Sequence, residues 1–187
     1  MIAPAPCPTL TLITGPARSG KSEWAEHLAH QAAQTGLQIT YVATAQRDPQ
    51  DAAWCQRLEQ HRQRRPPTWR TLEVPQDLAT VLQAATGQDC LLIDSLGTWV
   101  ANHLDHTPSQ WQSLATDLGH QLRLTQGACI VVGEETGWGV VPPTAIGGLF
   151  RDRLGGLIRS LGGLAQRVYL VAGGHALDLR QWGEPLP

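Results

Sequence analysis

The octapeptide GPARSGKS, Gly15 to Ser22, constrains the fold more than any other stretch of this chain. It matches G-x-x-x-x-G-K-[ST], with the apolar run TLTLIT (residues 9–14) before it. A segment that puts Trp24, Leu28 and Ala32 on one helical face follows. Strand, glycine loop and helix in that order aim successive backbone N–H groups and a helix N-terminus at one spot, a cradle for a polyphosphate. Taken alone, the octapeptide could be a glycine turn ahead of an ordinary helix. Lys21 argues against that reading, because it is the only lysine in the chain and every other fixed positive side chain is arginine. Inside a tight phosphate nest a compact ammonium on a flexible stem fits where a broad guanidinium does not.

Gly15, Pro16, Ala17, Arg18, Ser19, Gly20, Lys21 and Ser22 are therefore the candidate nucleotide loop, with Lys21 catalytic. A nucleotide held this way brings Mg²⁺, with Ser22 as one ligand and an acidic residue at a distant strand end as another. Asp94, closing CLLID, is the candidate; the plainer role for it is a helix N-cap after a buried strand, and the two are compatible.

Around the loop, short apolar runs alternate with longer helical segments. Residues 9–14, 37–44, 90–94, 128–133 and 167–173 read as strands, and their unbroken apolar character suits burial on both faces. The more polar WRTLEV (69–74) reads as an edge strand. Helices are expected over about 20–34, 51–64, 77–86, 108–125 and 144–164, with Gly36 as a stop and Asp51, Asp77 and Ser109 as N-caps. The last carries Gly147, Gly148, Gly155, Gly156, Gly162 and Gly163, each costing roughly 1 kcal/mol against alanine. The alternation predicts a three-layer α/β domain with a mainly parallel sheet, spanning residues 1–187 as one unit.

Six arginines crowd one segment: Arg47, Arg57, Arg62, Arg64, Arg65 and Arg70. Trp54, Leu58 and His61 follow one another at helical spacing, so His61 extends an apolar stripe among these charges. One reading is a solvated basic helix with a surface histidine. The other is an anion site with a nucleophile at its centre. There, guanidinium groups keep the imidazole neutral and offset charge on an attacked phosphate. A nucleic-acid surface would need a wider basic face, and the formal charge of -2 speaks against it. Cys7, Cys55, Cys90 and Cys129 have no metal-ligand spacing. The first ten residues lack the pattern of a signal peptide, and no apolar run approaches the roughly 20 residues of a membrane span. A cytoplasmic protein is expected.

Several separated motifs converge on one family. LITGPARSGKSEWAE (12–26), YVAT (41–44), RLEQHRQRRPPTWRT (57–71), LLIDSLGTWVANHL (91–104), EETGWGVVP (134–142), LFRDRLG (149–155) and VYLVAGG (168–174) occur in order. The H-x-x-x-R-P, D-x-x-x-x-W-x-x-N and E-x-G-x-G-x-V-P elements are the specific ones. The sequence resembles the bifunctional adenosylcobinamide kinase/adenosylcobinamide-phosphate guanylyltransferases of cobalamin biosynthesis. The resemblance implies a P-loop NTPase fold related to RecA and a homo-oligomer, a trimer. It implies phosphorylation of a corrinoid hydroxyl by a nucleoside triphosphate (ATP or GTP), then transfer of GMP from GTP through a covalent phosphoramidate on the histidine of H-x-x-x-R-P, here His61. Arg62, Arg65 and Glu135 join the nucleotide-binding set on the same basis, and neither nucleic acid nor a membrane span is implied.

The chain departs from the family pattern at three places. Ser95 stands where a cysteine is common, Gly133 and Glu134 occupy the stretch where an asparagine often precedes the glutamate, and Ile158 stands where an asparagine is frequent. Two other classes stay open from sequence: a small-molecule kinase without guanylyl transfer, and a non-catalytic nucleotide switch. Of seven tryptophans, Trp99 and Trp138 fall inside the specific motifs. His27, His30, His103, His106, His120 and His175 are left as surface or structural residues.

Overall fold

The computed structural model describes residues 10–138 and 141–186. Cys7, Thr9 of the first expected strand, and Gly139 and Val140 of the E-x-G-x-G-x-V-P element lie outside the described residues. In chain order the elements are β1 (Leu10–Gly15), α1 (Lys21–Gln34), β2 (Gln38–Ala43), α2 (Ala52–Gln63), β3 (Arg70–Glu73), α3 (Leu78–Ala84) and β4 (Asp89–Asp94). There follow α4 (Leu96–Ala101), α5 (Pro108–Leu124), β5 (Ala128–Glu134), α6 (Ala145–Leu164), β6 (Arg167–Ala172), β7 (His175–Asp178) and α7 (Leu179–Trp182).

The strands form one sheet in the order β3-β2-β4-β5-β1-β6-β7. All neighbours run parallel except β7, which returns antiparallel to β6. The central strands are buried on both faces because their side chains alternate between two cores. Leu10, Leu12, Leu91, Ile93 and Val131 pack with Leu78, Leu118, Leu154 and Leu161 from α3, α5 and α6. Ile13, Leu92, Ile130 and Val132 pack with Ala25 and Ala29 of α1 and with Trp69. The result is a layer of helices on each side of the sheet, as the alternation of apolar runs predicts. Strand β3 sits at the edge, as its polar character requires.

Helix α4, strand β7 and helix α7 have no counterpart among the elements expected from sequence. They span six, four and four residues, too short for a periodic signal to accumulate. A turn cue for β7 was present: Gly173 and Gly174 both take left-handed φ values (58° and 78°), and they join β6 to β7. The N-cap of α5 is Thr107 rather than Ser109; its hydroxyl accepts from the Gln110 N–H, and Pro108 takes the first helical position, where its missing N–H costs nothing.

The glycine-rich α6 is a continuous 20-residue helix. Its stability comes from one buried face, Leu154, Leu157, Ile158 and Leu161, and not from propensity. Ile158 leans into the space above Gly133 of β5, where an added Cβ would lie 3.0 Å from Ile158 Cγ1. Two of the three departures from the family pattern are thus a matched small–large pair. No helix among the described residues is long and apolar enough to cross a membrane.

The pair is open to test. Ile158→Ala leaves a gap over Gly133 and lowers stability by about 3 kcal/mol, whereas Gly133→Val overfills the same space and costs about 1–3 kcal/mol. Urea unfolding of both single variants and of the double variant checks this, the double variant being more stable than the sum of its parts requires.

Candidate active site

The carboxyl ends of β1, β4 and β5 lie side by side, and ligands of open α/β sheets bind at that edge. At the end of β1 the backbone approaches β6 so closely that a Cβ on Gly15 would lie 2.3 Å from the Val171 carbonyl oxygen. Beyond it, Arg18 and Gly20 adopt left-handed φ values of 59° and 96°, which turn neighbouring N–H groups toward one side. Gly20 caps α1 with no side-chain acceptor, so the first N–H groups of α1 remain available to an anion. Lys21 opens the helix, is only 7% exposed, and donates from Nζ to the Pro16 carbonyl at 2.7 Å. Ser19 Oγ is buried without a hydrogen-bond partner among the described residues, on the wall of the same cavity.

Helix α2 lies across this loop. Asp51 caps it by accepting from the Trp54 N–H at 2.8 Å, but none of its residues is buried. Just past its end, Arg64 reaches across to α1, donating to Glu23 at 2.9 Å and Glu26 at 3.2 Å. The same guanidinium lies 3.3 Å from His61 Nδ1. Because guanidinium only donates, Nδ1 is the acceptor and the neutral ring carries its proton on Nε2. Nδ1 is also 3.9 Å from Asp94 Oδ2. Burial is the main cause holding the His61 pKa below the ordinary imidazole value; Asp94 opposes it, and Arg64, Arg57 and Arg65 add to it. Desolvation, ahead of the neighbouring arginines, thus keeps this ring neutral.

Arg65 stacks over the Tyr41 ring with Cζ 3.4 Å from the centroid, and its buried Nε has no partner among the described residues. Tyr41 in turn donates its hydroxyl to Asp94 Oδ2 at 2.7 Å. Burial, then the Asp94 charge, pushes the Tyr41 pKa far up, so it remains a donor.

The rest of the D-x-x-x-x-W-x-x-N element is scaffolding. Trp99, 1% exposed, donates Nε1 to the Gln76 carbonyl at 2.8 Å. Asn102 Nδ2 donates to the carbonyls of Thr44 and Pro75, each at 2.8 Å, tying down the chain after β2 and β3. Trp138 is exposed. His103 is buried edge-on against Trp99, and Arg153 donates to the His103 and His106 carbonyls, so this corner is packed structure.

One cavity of about 370 Å³ gathers Arg18, Ser19, Gly20, Lys21 and Ser22 with Arg57, His61, Arg64, Arg65, Asp94 and Glu134. Gly15, Pro16 and Ala17 do not line it, although the Pro16 carbonyl accepts from Lys21. Arg62 and Glu135 also stand outside. Arg62 is on the far side of α2, exposed and paired with Glu59 at 3.0 Å. Glu135 is drawn to β1, donating its N–H to the Gly15 carbonyl and accepting from Thr14 Oγ1 at 2.7 Å. It borders a separate groove of about 880 Å³ along α6. The carboxylate that does enter the cavity is Glu134, the last residue of β5, in register with Gly15. Its oxygens accept from Ser95 Oγ at 2.5 Å and from the Gly97 N–H at 2.9 Å. A Cβ on Gly97 would lie 2.2 Å from Glu134 Oε2, so this bond needs glycine there. Sequence reasoning passed over Glu134 because its place between the loop strand and the Asp94 strand exists only once β5 is inserted between β1 and β4.

Ser22 and Asp94 face the same cavity, while no cluster of three or more His, Cys, Asp or Glu side chains among the described residues is arranged for a metal. That donor set fits magnesium, which takes one or two carboxylates and completes its shell with phosphates and water.

The family model described as cobinamide kinase / cobinamide phosphate guanyltransferase matches residues 11–179. The bifunctional adenosylcobalamin biosynthesis protein CobP of Pseudomonas aeruginosa is 39% identical over 181 residues, covering 94% of this chain and 98% of that protein. CobU of Escherichia coli, of the same description, is 33% identical over 187 residues, covering 91% and 99%. Among solved structures, the flagellar accessory protein FlaH from Methanocaldococcus jannaschii superposes with a TM-score of 0.51 at 16% identity, over 95% of this chain and 82% of that one. An ATPase from the type III secretion system of pathogenic bacteria gives 0.52 at 12% identity, over 93% and 53%. At such identity the likeness is of fold alone, the RecA-like P-loop arrangement of a mostly parallel sheet with helices on both sides.

The electrostatics of His61 give a pH prediction. In the nucleotide- and metal-free protein His61 titrates below about 6.5, the ordinary value. Asp94→Asn moves it further down and Arg64→Gln moves it up, as histidine NMR titrations will show. The unfolded chain takes up this proton first as pH falls, so His61 subtracts stability progressively below about pH 6.5.

Proposed function

This chain belongs to the cobinamide kinase / cobinamide phosphate guanyltransferase family, and from that premise we propose that one cavity carries out both reactions on a corrinoid substrate. In the first, the aminopropanol hydroxyl of adenosylcobinamide attacks the γ-phosphorus of ATP or GTP. A new O–P bond forms, the β–γ bridge breaks, and the hydroxyl proton is released. In the second, His61 attacks the α-phosphorus of GTP and pyrophosphate leaves. The phosphate of adenosylcobinamide phosphate then displaces the histidine, breaking the P–N bond and giving adenosylcobinamide-GDP. The observation that carries this reading is the convergence of His61 and the phosphate-loop residues Arg18 to Ser22 on one cavity, with the imidazole held neutral.

The residues divide the work by chemistry. The N–H groups of the loop and α1 hold the β- and γ-phosphates, and Lys21 exchanges its bond to Pro16 for one to phosphate oxygen. The His61 lone pair faces Arg64 at Nδ1, so attack requires Arg64 to exchange the ring for the incoming phosphate. Arg57, Arg64 and Arg65 offset the charge that builds on the α-phosphate. Ser22 and Asp94 would hold Mg²⁺, which supplies charge neutralisation between the phosphates. A cytoplasmic location, where nucleoside triphosphates are available, and a trimer are part of the same reading. The exposed Trp138, Val141, Ile146 and Leu149 offer apolar surface for self-association.

The test separates the two activities. With Mg²⁺ and GTP labelled at the α-phosphate, the wild type takes up label that survives base and is lost in acid. His61→Ala takes up none and loses guanylyl transfer by roughly a thousandfold or more, while corrinoid phosphorylation from γ-labelled ATP persists. Label on both proteins would move the nucleophile elsewhere; label on neither, with GTP bound, would leave a kinase alone.

A further inference from the structure

Of the carboxylates lining the cavity, Asp94 has a proposed role and Glu23 pairs with Arg64, whereas Glu134 has neither. It closes β5 next to Asp94, which closes the adjacent parallel strand β4, and both face the phosphate loop. Its two oxygens are oriented by the Ser95 hydroxyl and the Gly97 N–H, and no arginine, lysine or histidine pairs with it among the described residues. Lys21, the obvious counter-charge, is turned to the Pro16 carbonyl instead. Ser19 lines the same cavity, and its buried Oγ has no partner among the described residues. A carboxylate with no direct ion pair among the described residues and a buried hydroxyl without a partner thus line one cavity, with Lys21 acting on Glu134 only at longer range. The local packing holds this arrangement: Ser95 and Glu134 bond to each other, and Gly97 leaves room for the carboxylate.

We propose that Glu134 is a second carboxylate of the divalent-cation site, so that the cation accompanying the triphosphate is held between two adjacent strand ends and not by Asp94 alone. Ser95 and Gly97 are its positioning groups. The carboxylate acts through charge and orientation, directly on the ion or on its bound water, as magnesium retains several waters. The proposal rests on the reading of this cavity as the nucleotide site and adds a residue to it.

The experiment measures binding without turnover. Mn²⁺ is titrated against the full chain and a GTP analogue with a non-hydrolysable β–γ bridge, with free Mn²⁺ read by electron paramagnetic resonance. Analogue affinity is measured separately in EDTA. Glu134→Gln weakens Mn²⁺ binding about tenfold or more, as loss of an ordered group around a metal does, and leaves analogue affinity in EDTA unchanged or higher. Glu134→Asp, which keeps the charge, restores most of the loss, and it also reports if the glutamine variant does not fold. Ser95→Ala, which removes a positioning bond but no charge, has the smaller effect. Unchanged Mn²⁺ affinity in Glu134→Gln overturns the proposal. So does an equal loss in Glu134→Gln and Ser95→Ala, which would make Glu134 only a clip for the turn after β4. A wild type that shows this Glu134 dependence yet forms no corrinoid product would uphold the cation site and overturn the functional reading instead.

Discussion

Lys21 carries an ammonium into a position that is 7% exposed, at the first residue of a helix whose own N-terminus is partially positive. Burial lowers its pKa, and the effective cost of such a charge is on the order of several kcal/mol unless other groups compensate. Glu134 and Asp94 do so electrostatically, and the Pro16 carbonyl accepts from it directly. Those carboxylates are in place only because β4 and β5 end beside β1 in a parallel sheet. Sheet order, loop strain and site charge are therefore one arrangement seen at three scales.

The second half of the site is joined to the first by side chains. Helix α2 has no buried residue and contributes little hydrophobic energy. Arg64, bridging Glu23 and Glu26 of α1, and Arg65, stacked on Tyr41, set where His61 stands. Partly exposed ion pairs are individually weak, which suits the proposed exchange of Arg64 between His61 and an incoming phosphate. The network Arg65–Tyr41–Asp94–His61 links the basic segment to the acidic strand end, so a change at any member is felt at the imidazole.

Ser95, Leu96, Gly133, Glu134 and Ile158 form one contiguous region. Ser95 bonds to Glu134, Gly133 receives Ile158, and Leu96 lies beside Gly133. Residues that look unrelated along the chain make, in space, one polar contact and one match of volumes. Close interior packing makes the room conditional: the isoleucine has space because residue 133 is glycine, and the carboxylate because residue 97 is.

Much of this was legible from sequence by itself. The apolar runs gave the strands, the caps Asp51 and Asp77 gave helix starts, and GPARSGKS gave the loop, because each depends on neighbours within a few residues. Lys21, Ser22, His61, Arg65 and Asp94, expected from sequence as site residues, line one cavity. What tertiary structure alone decided was which side chains meet. Glu134 entered the cavity and Glu135 turned to Thr14, Arg62 went to the far side of α2 while Arg64 bridged two helices, and Trp99 and Asn102 became clamps for distant loops. Local propensity reads φ/ψ and periodicity along the chain. Strand order and side-chain direction are set by long-range burial, and no stretch of sequence carries that information alone.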